Sequence, residues 1–125
     1  DYPSLPLEQL LAESDIVSIH APLNDKTNGL IGEKELSMMK PSAFIVNMGR
    51  GGSVEEEALV KAVDEGVIAG AALDVYCVEP LPADSCFLKA KHPERFRLAP
   101  HVAWASEEAR ERLLGMVADN IAKGW

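Results

Sequence analysis

An α/β fold on a parallel sheet is predicted from three features of this chain: short apolar runs of strand length, amphipathic segments between them, and polar residues just past the runs. Runs that are apolar throughout read as strands covered on both faces, the signature of a parallel sheet between helices. Crossovers in such a sheet are right-handed. Ligands of such sheets bind beyond the carboxyl ends of the strands. His20, Arg50, Asp74, Glu79 and His101 all fall there, which points to one shared site.

The elements follow in order. A helix over 7–14 places Leu7, Leu10 and Leu11 on one face. A strand over 16–19 ends at His20-Ala21-Pro22. A helix over 33–39 stops before Pro41, which disfavours helix in its predecessor. A strand over 43–46 leads into Asn47-Met48-Gly49-Arg50-Gly51-Gly52. Ser53-Val54-Glu55-Glu56 has the pattern of a capping box. The helix behind it buries Ala58, Leu59, Ala62 and Val63 and closes on Gly66. A third strand lies within 67–75, followed by a long loop over 77–95 with prolines at 80, 82 and 93. A short strand over 96–99 precedes Pro100-His101. Ser106, Glu107 and Glu108 open a last helix, where acidic residues suit the dipole; its inner face is Leu113, Leu114, Val117, Ala118 and Ile121.

The 125 residues suffice for one domain, and 47% apolar content supports a packed core. A formal charge of -8 argues against nucleic acid, which needs a basic face, and fits a soluble cytoplasmic protein. Cys77 and Cys86 lack metal-binding spacing and read as two free thiols. No apolar run approaches the ~20 residues of a membrane span. Asp1-Tyr2-Pro3-Ser4 has no signal-peptide character and no starting Met, so the chain reads as an excerpt of a longer protein.

Arg50 stands among glycines, which permit a sharp turn and close ligand approach. Its planar fork matches a carboxylate; on the motif alone, a surface arginine in a strand-to-helix turn is an equal reading. Glu79 alone is a solvated loop acid, and His101 alone is a structural histidine. Together they form a general acid with its carboxylate, because a nearby negative charge favours the imidazolium. Asp74 ends an apolar strand, an expensive place for a charge without a partner. His20 reads as structural and His92 as surface.

Taken together, these stretches resemble the D-isomer-specific 2-hydroxyacid dehydrogenases. The resemblance rests on Ser18-Ile19-His20-Ala21-Pro22-Leu23 with Thr27 and Leu30-Ile31-Gly32, on Met39-Lys40-Pro41, and on Val46-Asn47-Met48-Gly49-Arg50-Gly51-Gly52. It continues through Ala72-Leu73-Asp74-Val75 with Glu79-Pro80, then Pro100-His101. The order and spacing of the pieces carry it. It implies the second half of a Rossmann-like doubly wound parallel sheet with a C-terminal helix. Residues 1–105 would form the C-terminal half of an NAD(P)-binding domain. Residues 106–125 would be a helix packing toward a substrate domain. The chain has no GxGxxG and no acidic residue about 20 positions after one, so the choice between NAD and NADP stays open.

The resemblance also implies roles. Arg50 would bind the substrate carboxylate, His101 would carry the proton, and Glu79 would hold His101 and keep it protonated. Asp74 would meet the nicotinamide carboxamide. Backbone groups of Ala21, Met48, Gly49 and Ala103 would line the nicotinamide side. The stretch His101-Val102-Ala103-Trp104-Ala105-Ser106-Glu107-Glu108 is most similar to the glycerate dehydrogenase, or hydroxypyruvate reductase, branch and places Trp104 near the substrate. The implied partner is a small 2-keto or 2-hydroxy acid: glycerate, hydroxypyruvate or glyoxylate. Phosphoglycerate or lactate enzymes and non-catalytic, corepressor-like NAD-binding relatives are the alternatives. The strand over 16–19 would be an exposed edge, and self-association as a homodimer is expected there.

Overall fold

A computed structural model of the chain describes residues 4–124. The element order is α1 (Leu7–Glu13), β1 (Ile16–Ile19), α2 (Glu33–Ser37), β2 (Phe44–Asn47), α3 (Glu56–Asp64), β3 (Gly70–Leu73), β4 (Phe96–Leu98) and α4 (Glu107–Ala122). Asp1, Tyr2, Pro3 and Trp125, which the sequence assigns to the nucleotide-binding half and the last helix, lie outside the described residues.

The four strands form one parallel sheet in the order β1-β2-β3-β4. Val17, Ile45, Ala71 and Phe96 stand in one register row, and Ile19, Asn47, Leu73 and Leu98 in another. Leu11 of α1, Leu36 of α2, and Leu59 and Val63 of α3 join the buried members of these rows in one core. The expectation of strands covered on both faces is corrected here. The alternate rows, with Ile16 and Phe44, leave those side chains exposed on the other face. β1 and β2 therefore alternate in burial although their sequences do not alternate in polarity. β1 is an edge strand, as the sequence implied.

α3 ends in a Schellman motif: Val67 N–H donates to Ala62 O and Gly66 N–H to Val63 O, with Gly66 at φ 71°. That turn consumes Val67, so β3, Gly70–Leu73, occupies only the middle of the run over 67–75. The capping box at Ser53 is also corrected. Glu55 is the residue that precedes α3, and Ser53 belongs to a tight turn, Gly51–Ser53. The Ser53 hydroxyl is fully buried with no hydrogen-bond partner among the described residues. A true backward contact appears at α2, where Glu35 accepts from the Gly32 N–H. α4 is capped by Ser106, whose hydroxyl accepts from Ala109 N–H. Its apolar face, from Leu113 to Ile121, is exposed, because no described element packs against it.

Candidate active site

Two turns at the carboxyl edge of the sheet carry the site. The first follows β2. Asn47, 1% exposed, accepts from Gly49 N–H at 3.0 Å and donates to Arg50 O at 2.9 Å. Arg50 is exposed, and its guanidinium donates to Gly49 O. No carboxylate lies within ion-pair distance of it among the described residues. Two of the glycines here are also required by packing. A Cβ on Gly51 would fall 2.0 Å from the Tyr76 carbonyl carbon, and one on Gly49 would fall 2.8 Å from Ala21 O. The turn is pressed against the chain's own backbone.

The second turn follows β4. His101 Nδ1 lies 2.7 Å from Glu79 Oε2. The other oxygen of Glu79 accepts from Tyr76 N–H at 2.9 Å. The His101 hydrogen bond, then the Tyr76 amide, hold the Glu79 carboxyl below the usual carboxylate range; the charge of Arg50 adds to this. Glu79 therefore stays ionised beside the imidazole. Pairing through Nδ1 leaves Nε2 as the nitrogen that can exchange a proton with a ligand. The pair borders an apolar cleft of about 480 Å³ lined by Tyr76, Leu81, Leu98 and Pro100 among others.

Asp74 lies one residue past β3 and is 2% exposed. Its two oxygens accept from Val102 N–H at 2.8 Å and Ala103 N–H at 2.9 Å. The partner that a buried charge requires is thus the loop behind His101. Ala103 uses its amide on Asp74, so that donor is already engaged. Met48 is partly exposed beside Gly49 and Ala21, which adjoin one another at neighbouring strand ends. Trp104 is exposed and donates to His101 O. His20 is exposed too, its Nε2 2.7 Å from Ser18 Oγ, so it is no core histidine. His92 pairs with Glu94 on the surface.

Sequence reasoning missed Asn47. The signal was present, since Asn before Gly at a strand end is typical Asx-turn chemistry. Both cysteines are free thiols. Partial desolvation, and then the charge of Glu56, push the thiol of exposed Cys77 up to about 11.

A parallel α/β sheet with an arginine turn and a carboxylate–histidine pair at its carboxyl edge has the architecture of a nucleotide-binding domain. The chain belongs to the family described as D-isomer specific 2-hydroxyacid dehydrogenase, NAD binding domain, which it matches over residues 2–103. It is 51% identical over 117 residues to a glyoxylate reductase of Korarchaeum cryptofilum, covering 94% of this chain and 34% of that protein. It is 42% identical over 115 residues to a glycerate dehydrogenase of Methylorubrum extorquens, covering 92% of this chain and 36% of that one. A solved NAD-complexed D-isomer specific 2-hydroxyacid dehydrogenase of Lactobacillus delbrueckii ssp. bulgaricus superposes with a TM-score of 0.83 at 34% identity, covering 96% of this chain and 40% of that one. The chain spans about a third of the length of the curated relatives it matches.

Proposed function

We propose that this chain supplies the catalytic side chains of an NAD(P)-dependent D-2-hydroxyacid dehydrogenase acting on glyoxylate or on hydroxypyruvate and glycerate. The 2.7 Å contact of Glu79 with His101, within electrostatic reach of Arg50, carries the reading. The nicotinamide, when bound, supplies or accepts the hydride at C2 of the acid. Arg50 binds the substrate carboxylate through its fork and draws charge toward the C2 oxygen. His101 Nε2 donates a proton to that oxygen in reduction and takes it back in oxidation. Glu79 fixes the tautomer and stabilises the imidazolium.

The residues present fit the nicotinamide end of the cofactor. Ala21, Met48 and Gly49 share the strand ends beside Arg50, and Ala103 belongs to the loop after His101. Each oxygen of Asp74 keeps a lone pair beyond its amide bond, enough to accept from a carboxamide N–H as well. The similarity to the Korarchaeum cryptofilum and Methylorubrum extorquens enzymes supports small 2-keto acids as substrates.

The test is a chimaera carrying this chain in place of the matching part of the Korarchaeum cryptofilum glyoxylate reductase. It reduces glyoxylate or hydroxypyruvate. In it, His101→Ala lowers kcat by about 10²–10⁴, and Arg50→Lys raises KM while lowering kcat. Near-normal turnover in His101→Ala, or a folded chimaera without activity on either acid, would sink the proposal.

A further inference from the structure

We infer that Asp74 is a positioning residue for His101: its buried carboxylate fastens the two amides behind the histidine and so holds the imidazole against Glu79. The functional weight of this inference rests on the reading of His101 as the proton carrier. Its geometry does not.

His101 has φ 56° and is the one non-glycine residue in the left-handed region among the described residues. That conformation is unfavourable for any residue with a Cβ, so it persists only where the surroundings enforce it. The enforcement is visible. Asp74 Oδ1 accepts from Val102 N–H and Oδ2 from Ala103 N–H, at 2.8 and 2.9 Å. Both are hydrogen bonds to an ionised acceptor, stronger than neutral ones. Asp74 is 2% exposed, and no cation pairs with it among the described residues. Without the two amides, its charge would be buried at high cost. The Trp104 indole adds a tie to His101 O at 2.9 Å.

The anchors of His101 and Glu79 start from the same place. Asp74 holds the backbone behind His101, and the Tyr76 amide holds Glu79. Both belong to one short buried segment leaving β3. The spacing between imidazole and carboxylate is thereby set by residues 74–76 rather than by the loops that bear the pair. Asparagine cannot substitute. It offers one acceptor oxygen and turns an N–H donor toward the second amide.

The experiment is nuclear magnetic resonance on the ¹⁵N,¹³C-labelled chain without cofactor, which separates this role from any contact with nicotinamide. In the wild-type chain, through-hydrogen-bond couplings should connect the Val102 and Ala103 amides to the Asp74 carboxylate carbon. His101 should show the strong amide-to-Hα Overhauser effect of positive φ. In Asp74→Asn, amide exchange at Val102 and Ala103 should rise about ten-fold or more. The His101 Overhauser effect and the downfield Hδ1 signal should weaken, while Leu59 and Val63 amides stay protected. Unchanged exchange and an unchanged His101 Overhauser effect in Asp74→Asn would overturn the inference. If that variant does not fold, the wild-type couplings decide: their absence, in spectra showing the sheet couplings, is equally fatal. Loss of the catalytic reading through an active His101→Ala chimaera would leave these signals intact, so the two failures are distinguishable.

Discussion

The turns after β2 and β4 leave the same edge of the sheet, yet opposite chemistry anchors them. The Arg50 turn presents one donor, Gly49 N–H, and one acceptor, Arg50 O; the neutral amide of Asn47 satisfies both. The His101 turn presents two donors, and the carboxylate of Asp74 satisfies those. The difference follows from what each turn holds out. A negative anchor beneath Arg50 would repel the anion proposed to bind its guanidinium. The anchor behind His101 faces two backbone donors and no anion-binding group, so a carboxylate there meets no such penalty.

The largest expected effect comes where the Arg50 turn meets the segment leaving β3. A Cβ on Gly51 would lie 2.0 Å from the Tyr76 carbonyl carbon, 2.2 Å from its oxygen and 2.3 Å from Cys77 N. Backbone at that distance cannot step aside as a flexible side chain can. Gly51→Ala should therefore reach or exceed the top of the ~1–3 kcal/mol range for overpacking, and should disturb the Glu79 loop along with the Arg50 turn. Urea unfolding measures it. A loss under about 0.5 kcal/mol, the scale of ordinary surface changes, would show that the Arg50 turn is not pressed against the segment leaving β3.

A smaller effect is expected from exchanging the anchor chemistry. Asn47→Asp keeps the acceptor for Gly49 N–H but loses the donor to Arg50 O, and it sets two oxygen acceptors face to face in a buried site. One unsatisfied buried group costs about 1–3 kcal/mol. The loss should appear in the unfolding midpoint, with the His101 Overhauser effect unchanged. Wild-type stability in Asn47→Asp would mean that the turn is indifferent to its anchor's charge.

The ingredients of this comparison were unequally visible in the sequence. Arg50, Glu79 and His101 were legible because strand ends in a parallel sheet announce a site. The anchors' partners were not. Asp74 bonds amides 28 and 29 residues away, a pairing that leaves no local pattern. The left-handed His101 carries no glycine to mark it. Ser53 fits a capping box letter by letter, but the chain spends it in the tight turn that brings Gly51 onto Tyr76. The third strand is shorter than the apolar run that holds it for a similar reason. Val67 and Ile68 are apolar because they close the end of α3 over the core, not because they join the ladder. Pattern reading located the elements, while closures between elements decided their ends.

The smallest expected effect is on the pH dependence of stability, and it sharpens the role of Glu79. Its hydrogen bond to His101, then that to the Tyr76 amide, lower its pKa in the folded chain. In the unfolded chain it returns to the ordinary value near 4.3. A carboxyl with a depressed folded pKa stabilises the native state above its unfolded pKa, and that stabilisation fades as pH falls through the folded value. Glu79→Gln keeps an oxygen for the Tyr76 amide but removes the charge. The variant should melt below wild type at about pH 7, with the gap narrowing from about pH 4 downward. Because the Glu79 side chain is 34% exposed, solvent screens the interaction and the gap stays small. Thermal melts followed by circular dichroism across this range read it directly. A gap of constant size from neutral to acid pH would mean that the carboxylate's charge contributes nothing to the fold, and that Glu79 is held to His101 by geometry alone.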